Sequence, residues 1–180
     1  EIFRRQGQGT FAMPPPPVEG SHLRHMAARV SPEEVMEGRF ALEPEIAAIA
    51  TARATADDVA MLEHFARSTL ETEDAQAYEV ADDLFHYRIA AVAGNVLLRS
   101  FCESIREVRR HAAWEQSRAR VMSPEVRTTL GNQHLELVEC IRAGNARKAR
   151  QTMLHHLREV ASVMEVPVRA GAPGQVATMR

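Results

Sequence analysis

The sequence predicts an all-α protein, an antiparallel bundle of about six helices behind a short β-hairpin. Three observations carry that expectation. The 180 residues are 45% hydrophobic but only 5% aromatic, and Ala, Leu, Glu and Arg are abundant, a composition that favours helix over strand. From Ser31 onward, apolar residues recur at spacings of three and four, the period of a helix with one buried face. The connections between these periodic segments are short, which makes sequential helices antiparallel neighbours.

The same composition narrows the class of protein. The length suffices for one domain with a real core. No apolar run approaches the ~20 residues that span a bilayer, and no signal-peptide pattern opens the chain, so a soluble, cytoplasmic protein is expected. Two cysteines, Cys102 and Cys140, are too few for a disulfide framework, and both fall in helical apolar patterns as buried free thiols. The formal net charge of −2 argues against nucleic-acid binding by bulk electrostatics. Residue 1 is Glu and not Met, so a longer parent protein is expected.

Residues 1–13, EIFRRQGQGTFAM, read as the last part of a β-hairpin with a Gly-rich turn at Gly7 and Gly9. Pro14–Pro17 open a stiff segment that stays polar to about Val30, a rigid spacer between two bodies. Ser31-Pro32-Glu33-Glu34 supplies an N-cap, a first-turn proline and a capping-box Glu. The helix that follows buries Val35, Leu42, Ile46 and Ile49, and Pro44 within it should bend it. Thr55 caps a second helix with Leu62, Phe65 and Leu70 inward. Asp74 caps a third, which ends at Gly94. Asn95 caps a long fourth helix with Phe101, Ile105 and Val108 inward. Ser123-Pro124-Glu125 starts a fifth, ending at Gly144, and Asn145 caps a sixth, ending near Glu165. Residues 166–180 have no periodicity and read as a disordered tail. The domains are thus 1–13, 14–30, 31–165 and 166–180.

Polar residues on the inner helix faces carry the chemistry. On the third helix Tyr78, Phe85, Ile89 and Val92 form the apolar stripe, and Asp82 and His86 flank it as i, i+4 neighbours able to reach one point. On the fifth, Leu130, His134, Leu137 and Ile141 share a face. On the sixth, Ala149, Met153, His156, Val160 and Val163 do, while His155 lies about 100° away with Thr152 and Glu159. Periodicity therefore selects His156 over His155. A single inward His is ordinarily a hydrogen-bonded core residue. Three of them with an inward Asp, on three helices, are costly to bury unless paired, and one divalent cation satisfies all four. His22 and His25 fall in the spacer, His64 off its apolar face and His111 at a face boundary. Arg39 follows the inner stripe of the first helix and cannot shed its charge there. It needs a carboxylate, either Glu43 one turn on or a ligand. The run Arg106, Arg109, Arg110 reads as a solvated face.

These pieces, in order, resemble a bacterial GntR-type transcription regulator of the FadR subfamily. Arg39 to Arg53, RFALEPEIAAIATAR, resembles the first helix of the family's effector-binding FCD domain. Asp82-x-x-Phe85-His86, then Ala93-Gly94-Asn95, resembles its D-x-x-F-H…G-N signature. His134, Ile141-Arg142-Ala143-Gly144-Asn145 and Ala149-x-x-x-Met153-x-x-His156-Leu157 resemble its closing pattern. Asn145 stands where Asp is common but caps a helix equally, and Gly131-Asn132 is a further departure. Arg4 to Phe11 resembles the wing that ends a winged helix-turn-helix domain.

The resemblance implies an all-α effector-binding and dimerisation domain, with the rest of the DNA-binding domain outside this chain. It implies a divalent ion held by Asp82, His86, His134 and His156. Zn²⁺ comes first, and Ni²⁺, Mn²⁺ or Fe²⁺ also suit three imidazoles and a carboxylate. A small organic acid would take the open coordination positions, with Arg39 and Asn132 as effector contacts. Arg4 and Arg5 of the wing would meet operator DNA, and a homodimer is expected. The rival is a metalloenzyme, since a His₃Asp site can activate water. Against it, Glu136 and Glu139 fall off the inner face and leave no general base. A metal-free helical dimerisation module is the third reading. The chain is read as a regulator, not an enzyme.

Overall fold

Ser31 begins the helical body as its sequence requires. Its side chain accepts from the Glu34 backbone N–H, and Glu34 Oε2 accepts the Ser31 N–H at 2.8 Å, closing a capping box. The computed structural model describes residues 2–5, 9–12, 29–110 and 112–167. Two strands, β1 (Ile2–Arg5) and β2 (Gly9–Ala12), form an antiparallel hairpin in which Ile2 faces Ala12 and Arg5 faces Gly9. Seven helices follow among the described residues: α1 (Pro32–Arg53), α2 (Ala56–Leu70), α3 (Ala75–Val92), α4 (Val96–Arg109), α5 (Ala112–Val121), α6 (Pro124–Arg142) and α7 (Ala146–Val163). Most of the expected spacer, with His22 and His25, lies outside the described residues, as do His111 and residues 168–180 of the expected tail.

Each expected cap is present. Thr55 and Asp58 form a second capping box, and Asp74, Asn95, Ser123 and Asn145 each accept a first-turn N–H. Such a cap is worth about 1 kcal/mol. At the other end, α3 and α6 stop at Gly94 and Gly144, with φ of 62° and 66°. That left-handed conformation suits glycine and lets the chain reverse within two residues.

The expected helix from Asn95 divides in two. No Pro or Gly marks the break near Arg110, and the helical period continues across it. The division lets Trp114 and Arg118 of α5 turn back onto α3, where both hydrogen-bond Glu79. Phe101, expected inward, is 48% exposed, whereas Val108 and Cys102 are buried. Helix α1 packs along α7 and also touches α3, α4 and α6, while α2 packs between α3 and α6. Helix α1 runs unbroken through Pro44. The core therefore collects side chains from every long helix, including Met36, Ile46, Leu62, Tyr78, Phe85, Ile89, Leu130, Leu137 and Met153.

Candidate metal centre

Helices α3, α6 and α7 turn polar positions into this core, two from α3 and one each from α6 and α7. Asp82 and His86 lie one turn apart on α3, His134 sits in the middle of α6, and His156 in the middle of α7. All four are buried, Asp82 at 0% exposure and His134 and His156 at 1%. One ligand atom from each lies within 4.8 Å of all the others. His134 Nε2 is 3.4 Å from His156 Nε2 and 3.4 Å from Asp82 Oδ1, and His86 Nε2 is 3.7 Å from the same oxygen. His155, which periodicity set aside, is exposed, as are Glu136 and Glu139. Thr152 on the His155 stripe is nonetheless buried, with its Oγ1 3.6 Å from Cys140 Sγ.

The charge around the cluster is arranged by arginines. Arg109 donates to Asp82 Oδ2 at 2.5 Å and to Glu79 Oε1 at 2.6 Å. Burial alone would raise the Asp82 carboxyl, but Arg109, then His86 and His134, hold it well below the usual range. Asp82 is therefore a carboxylate, and its Oδ1 has no hydrogen-bond donor among the described residues. Burial brings His134 down to about 4 despite the nearby carboxylate, and burial with the neighbouring imidazoles lowers His156 well below its ordinary value. His86 goes the other way: burial disfavours its cation, but Glu43 and Asp82 together outweigh that. A neutral imidazole and an ionised carboxylate are the forms that bind a metal.

Arg39 faces inward, as its stripe position requires, and is fully buried. Its partner is Glu43, with Nε donating to Oε1 at 2.8 Å, and its Nη2 lies 3.3 Å from His86 Nε2. Burial would raise the Glu43 carboxyl, but Arg39 and His86 hold it far below the usual range. Asn132 is exposed on α6, and its neighbour Gln133 reaches His156 Nδ1 at 3.0 Å. Arg4 and Arg5 lie in β1, opposite Thr10 and Gly9.

Arg106 and Arg109 correct the expectation of a solvated face. Arg109 is 3% exposed, and Arg106 pairs with Asp83 at 2.8 Å and covers the Tyr87 ring. Only Arg110 is exposed. A charge run looks solvated until the partner helix is known, and the acidic partners Asp83 and Glu79 sit on α3, 23 and 30 residues upstream of Arg106 and Arg109.

Three buried imidazoles and an ionised carboxylate, one oxygen of which lacks a donor, fit a divalent cation with nitrogen and oxygen ligands. The set leaves further positions open on an ion with five or six ligands.

The FCD domain family model matches residues 34–159. The chain is 28% identical over 160 residues to the Uxu operon regulator of Haemophilus influenzae, covering 87% of this chain and 59% of that protein. It thus spans little more than half the length of that relative. Among solved structures, a Streptococcus agalactiae GntR shares the fold with a TM-score of 0.64 at 21% identity, over 89% of this chain and 74% of that one. Escherichia coli McbR/YncC does so with a TM-score of 0.61 at 14% identity, over 91% and 72%. Both likenesses are of fold. The family match covers the helical body and all four residues of the cluster, and on it the chain belongs to the FCD domain family.

Proposed function

We propose that this chain is the effector-binding and dimerisation domain of a cytoplasmic transcriptional regulator, holding a divalent metal and a small carboxylic acid to control DNA binding. The observation that carries the metal reading is the convergence of Asp82, His86, His134 and His156 from three helices, with their donor atoms within 4.8 Å of one another. The regulatory reading is supported by family membership and by the name of the Haemophilus relative. On this reading β1 and β2 are the remnant of a wing, and Arg4 and Arg5 meet operator DNA beside the rest of a winged-helix domain.

Zinc suits the donor set first, with Ni²⁺, Mn²⁺ and Fe²⁺ as further candidates. When bound, the ion supplies a concentrated positive charge in a dry interior, which draws an anionic oxygen. The chain's own residues do the rest. Arg109 fixes one oxygen of Asp82 and leaves the other for the ion. Glu43, Asp83, His86, Arg106 and Arg109 line a cavity of about 20 Å³ beside the cluster, room for one water-sized group. A carboxylic acid larger than that enters by opening the Arg106–Asp83 pair. Arg39 Nη1 has no partner among the described residues and is a donor in reserve for a carboxylate. Binding that differs between two arrangements of a dimer would shift operator affinity.

Elemental analysis and mass spectrometry of the purified protein test this reading. Wild type should carry about one equivalent of a divalent metal and a co-purifying organic acid. The Asp82→Ala, His134→Ala double variant should carry neither, and a variant that keeps wild-type metal content would remove the site.

A further inference from the structure

The three imidazoles of the cluster present the same nitrogen to its centre, and their other nitrogens explain why. His134 Nδ1 lies 3.2 Å from Thr69 Oγ1. The single hydroxyl proton of Thr69 is already donated to Ala66 O at 2.7 Å, so Thr69 can only accept from His134 Nδ1–H. His156 Nδ1 lies 3.0 Å from Gln133 Oε1, also an acceptor. His86 Nδ1 lies 2.9 Å from Glu43 Oε2, an ion-pair contact bent away from ideal hydrogen-bond geometry. The rings of His134 and His156 are thereby held with the proton on Nδ1 and the lone pair on Nε2. Arg39 Nη2, which only donates, lies 3.3 Å from His86 Nε2, so an ion bound through that nitrogen takes the place of Arg39 there. At the centre, His134 Nε2, His156 Nε2 and Asp82 Oδ1 then face one another as acceptors with no proton between them.

Gly131 is the second, independent feature. A Cβ built there would lie 2.5 Å from Leu70 Cδ2, 2.9 Å from Leu70 Cγ and 3.1 Å from Thr69 Oγ1. Glycine inside a helix is disfavoured by about 1 kcal/mol against alanine. Here it clears the space in which the C-terminal turn of α2 reaches the ring of His134, three residues further along α6.

We propose that Thr69 and Gln133 are positioning residues of the metal centre, locking His134 and His156 as Nε2 donors, and that Gly131 is the clearance that admits Thr69. Glu43, from α1, orients His86 through an ion-pair contact at 2.9 Å and without that hydrogen bond. This rests on the metal reading above. None of these residues touches the ion. Thr69 and Gln133 act by fixing the tautomer and orientation of a ring that does.

The test is zinc affinity of the full chain, measured by competition with a chromogenic chelator. Thr69→Val and Gln133→Leu should each lower affinity about tenfold to a hundredfold, while Thr69→Ser, which keeps the acceptor, should bind as wild type. Gly131→Ala should also weaken zinc, although it removes no polar atom. Nitrogen-15 NMR of the zinc-loaded wild type should show His134 and His156 protonated at Nδ1 and ligated through Nε2. Wild-type affinity in Thr69→Val and Gln133→Leu, or ligation through Nδ1, overturns the positioning role and leaves the metal site standing. A wild type that binds none of Zn²⁺, Ni²⁺, Mn²⁺ and Fe²⁺ overturns both. Thermal unfolding of the variants in chelator shows whether a loss is local: an affinity loss that tracks a loss of metal-free stability refutes the proposal, and one without it supports it.

Discussion

Glu79 lies at the meeting point of three side chains. Arg109, Arg118 and Trp114 all donate to it, and Arg109 passes on to Asp82. It is thus the anchor that keeps the Arg109 guanidinium facing the cluster. Burial by itself would raise its carboxyl, but Arg109 and then Arg118 bring it down to about 2 from an ordinary 4.5. A folded value below the unfolded one means that protons bind the unfolded chain more readily. The stabilisation from ionised Glu79 is therefore complete above about pH 4.5 and is lost as pH falls toward about 2. Urea midpoints measured across that window should fall with acid in wild type and fall less steeply in Glu79→Gln. Equal slopes would show that the Glu79 charge contributes nothing to folding. The adjoining Tyr78 hydroxyl, buried and without a hydrogen-bond partner among the described residues, is pushed well above its ordinary value by burial and the Asp82 charge.

Helix ends and helix interiors make opposite demands on glycine. Gly144 closes α6 with φ of 66°, and nothing within 4 Å would meet a side chain there. Gly144→Ala is therefore a test of backbone strain alone and should destabilise by about 1 kcal/mol or slightly more. Gly38 is inside α1, and a Cβ there would meet only Ile105 Cδ1 at 3.7 Å, an ordinary contact. Gly38→Ala should stabilise by about 0.5–1 kcal/mol, through helix propensity and a less flexible unfolded chain. Urea unfolding of both variants checks the pair, and a change of the same sign in both would contradict it. Helix α1 links these effects to the centre, because the element that contains Gly38 also supplies Arg39 and Glu43.

At the scale of the molecule, the metal centre joins α3, α6 and α7, and its outer partners come from α1 and α2. An ion bound there would tie together three helices directly, and two more through Glu43 and Thr69, in addition to the apolar and polar contacts they already share. Binding only the folded chain, zinc at a hundred times its dissociation constant should add about 2.7 kcal/mol. For a chain of this size that is a rise of roughly 5–10 °C in melting temperature. Differential scanning fluorimetry in zinc and in excess chelator measures it, and coincident transitions would show that the four residues are a metal-free polar core. No described helix is long and apolar enough to cross a membrane. The Haemophilus relative is a regulator of greater length, and the FCD family match lies within the helical body described here.

The sequence alone determined the helices, their caps and the four central residues. Those are local matters: a helical period repeats every turn, an N-cap contacts its own second or third residue, and Asp82 and His86 are neighbours on one helix. Periodicity could choose His156 over His155 because burial on a helix is a question of angle. The tertiary structure decided everything that depended on a distant partner. It broke α4 from α5 so that Trp114 and Arg118 could reach Glu79, turned Arg109 from a solvated charge into the support of Asp82, and left Phe101 exposed. It gave Arg39 to Glu43, brought Gln133 to His156, and set Gly131 against Leu70 and Thr69. Ion pairs and clearances between helices depend on how those helices pack, and packing angles and depths are not encoded in any single stretch of chain.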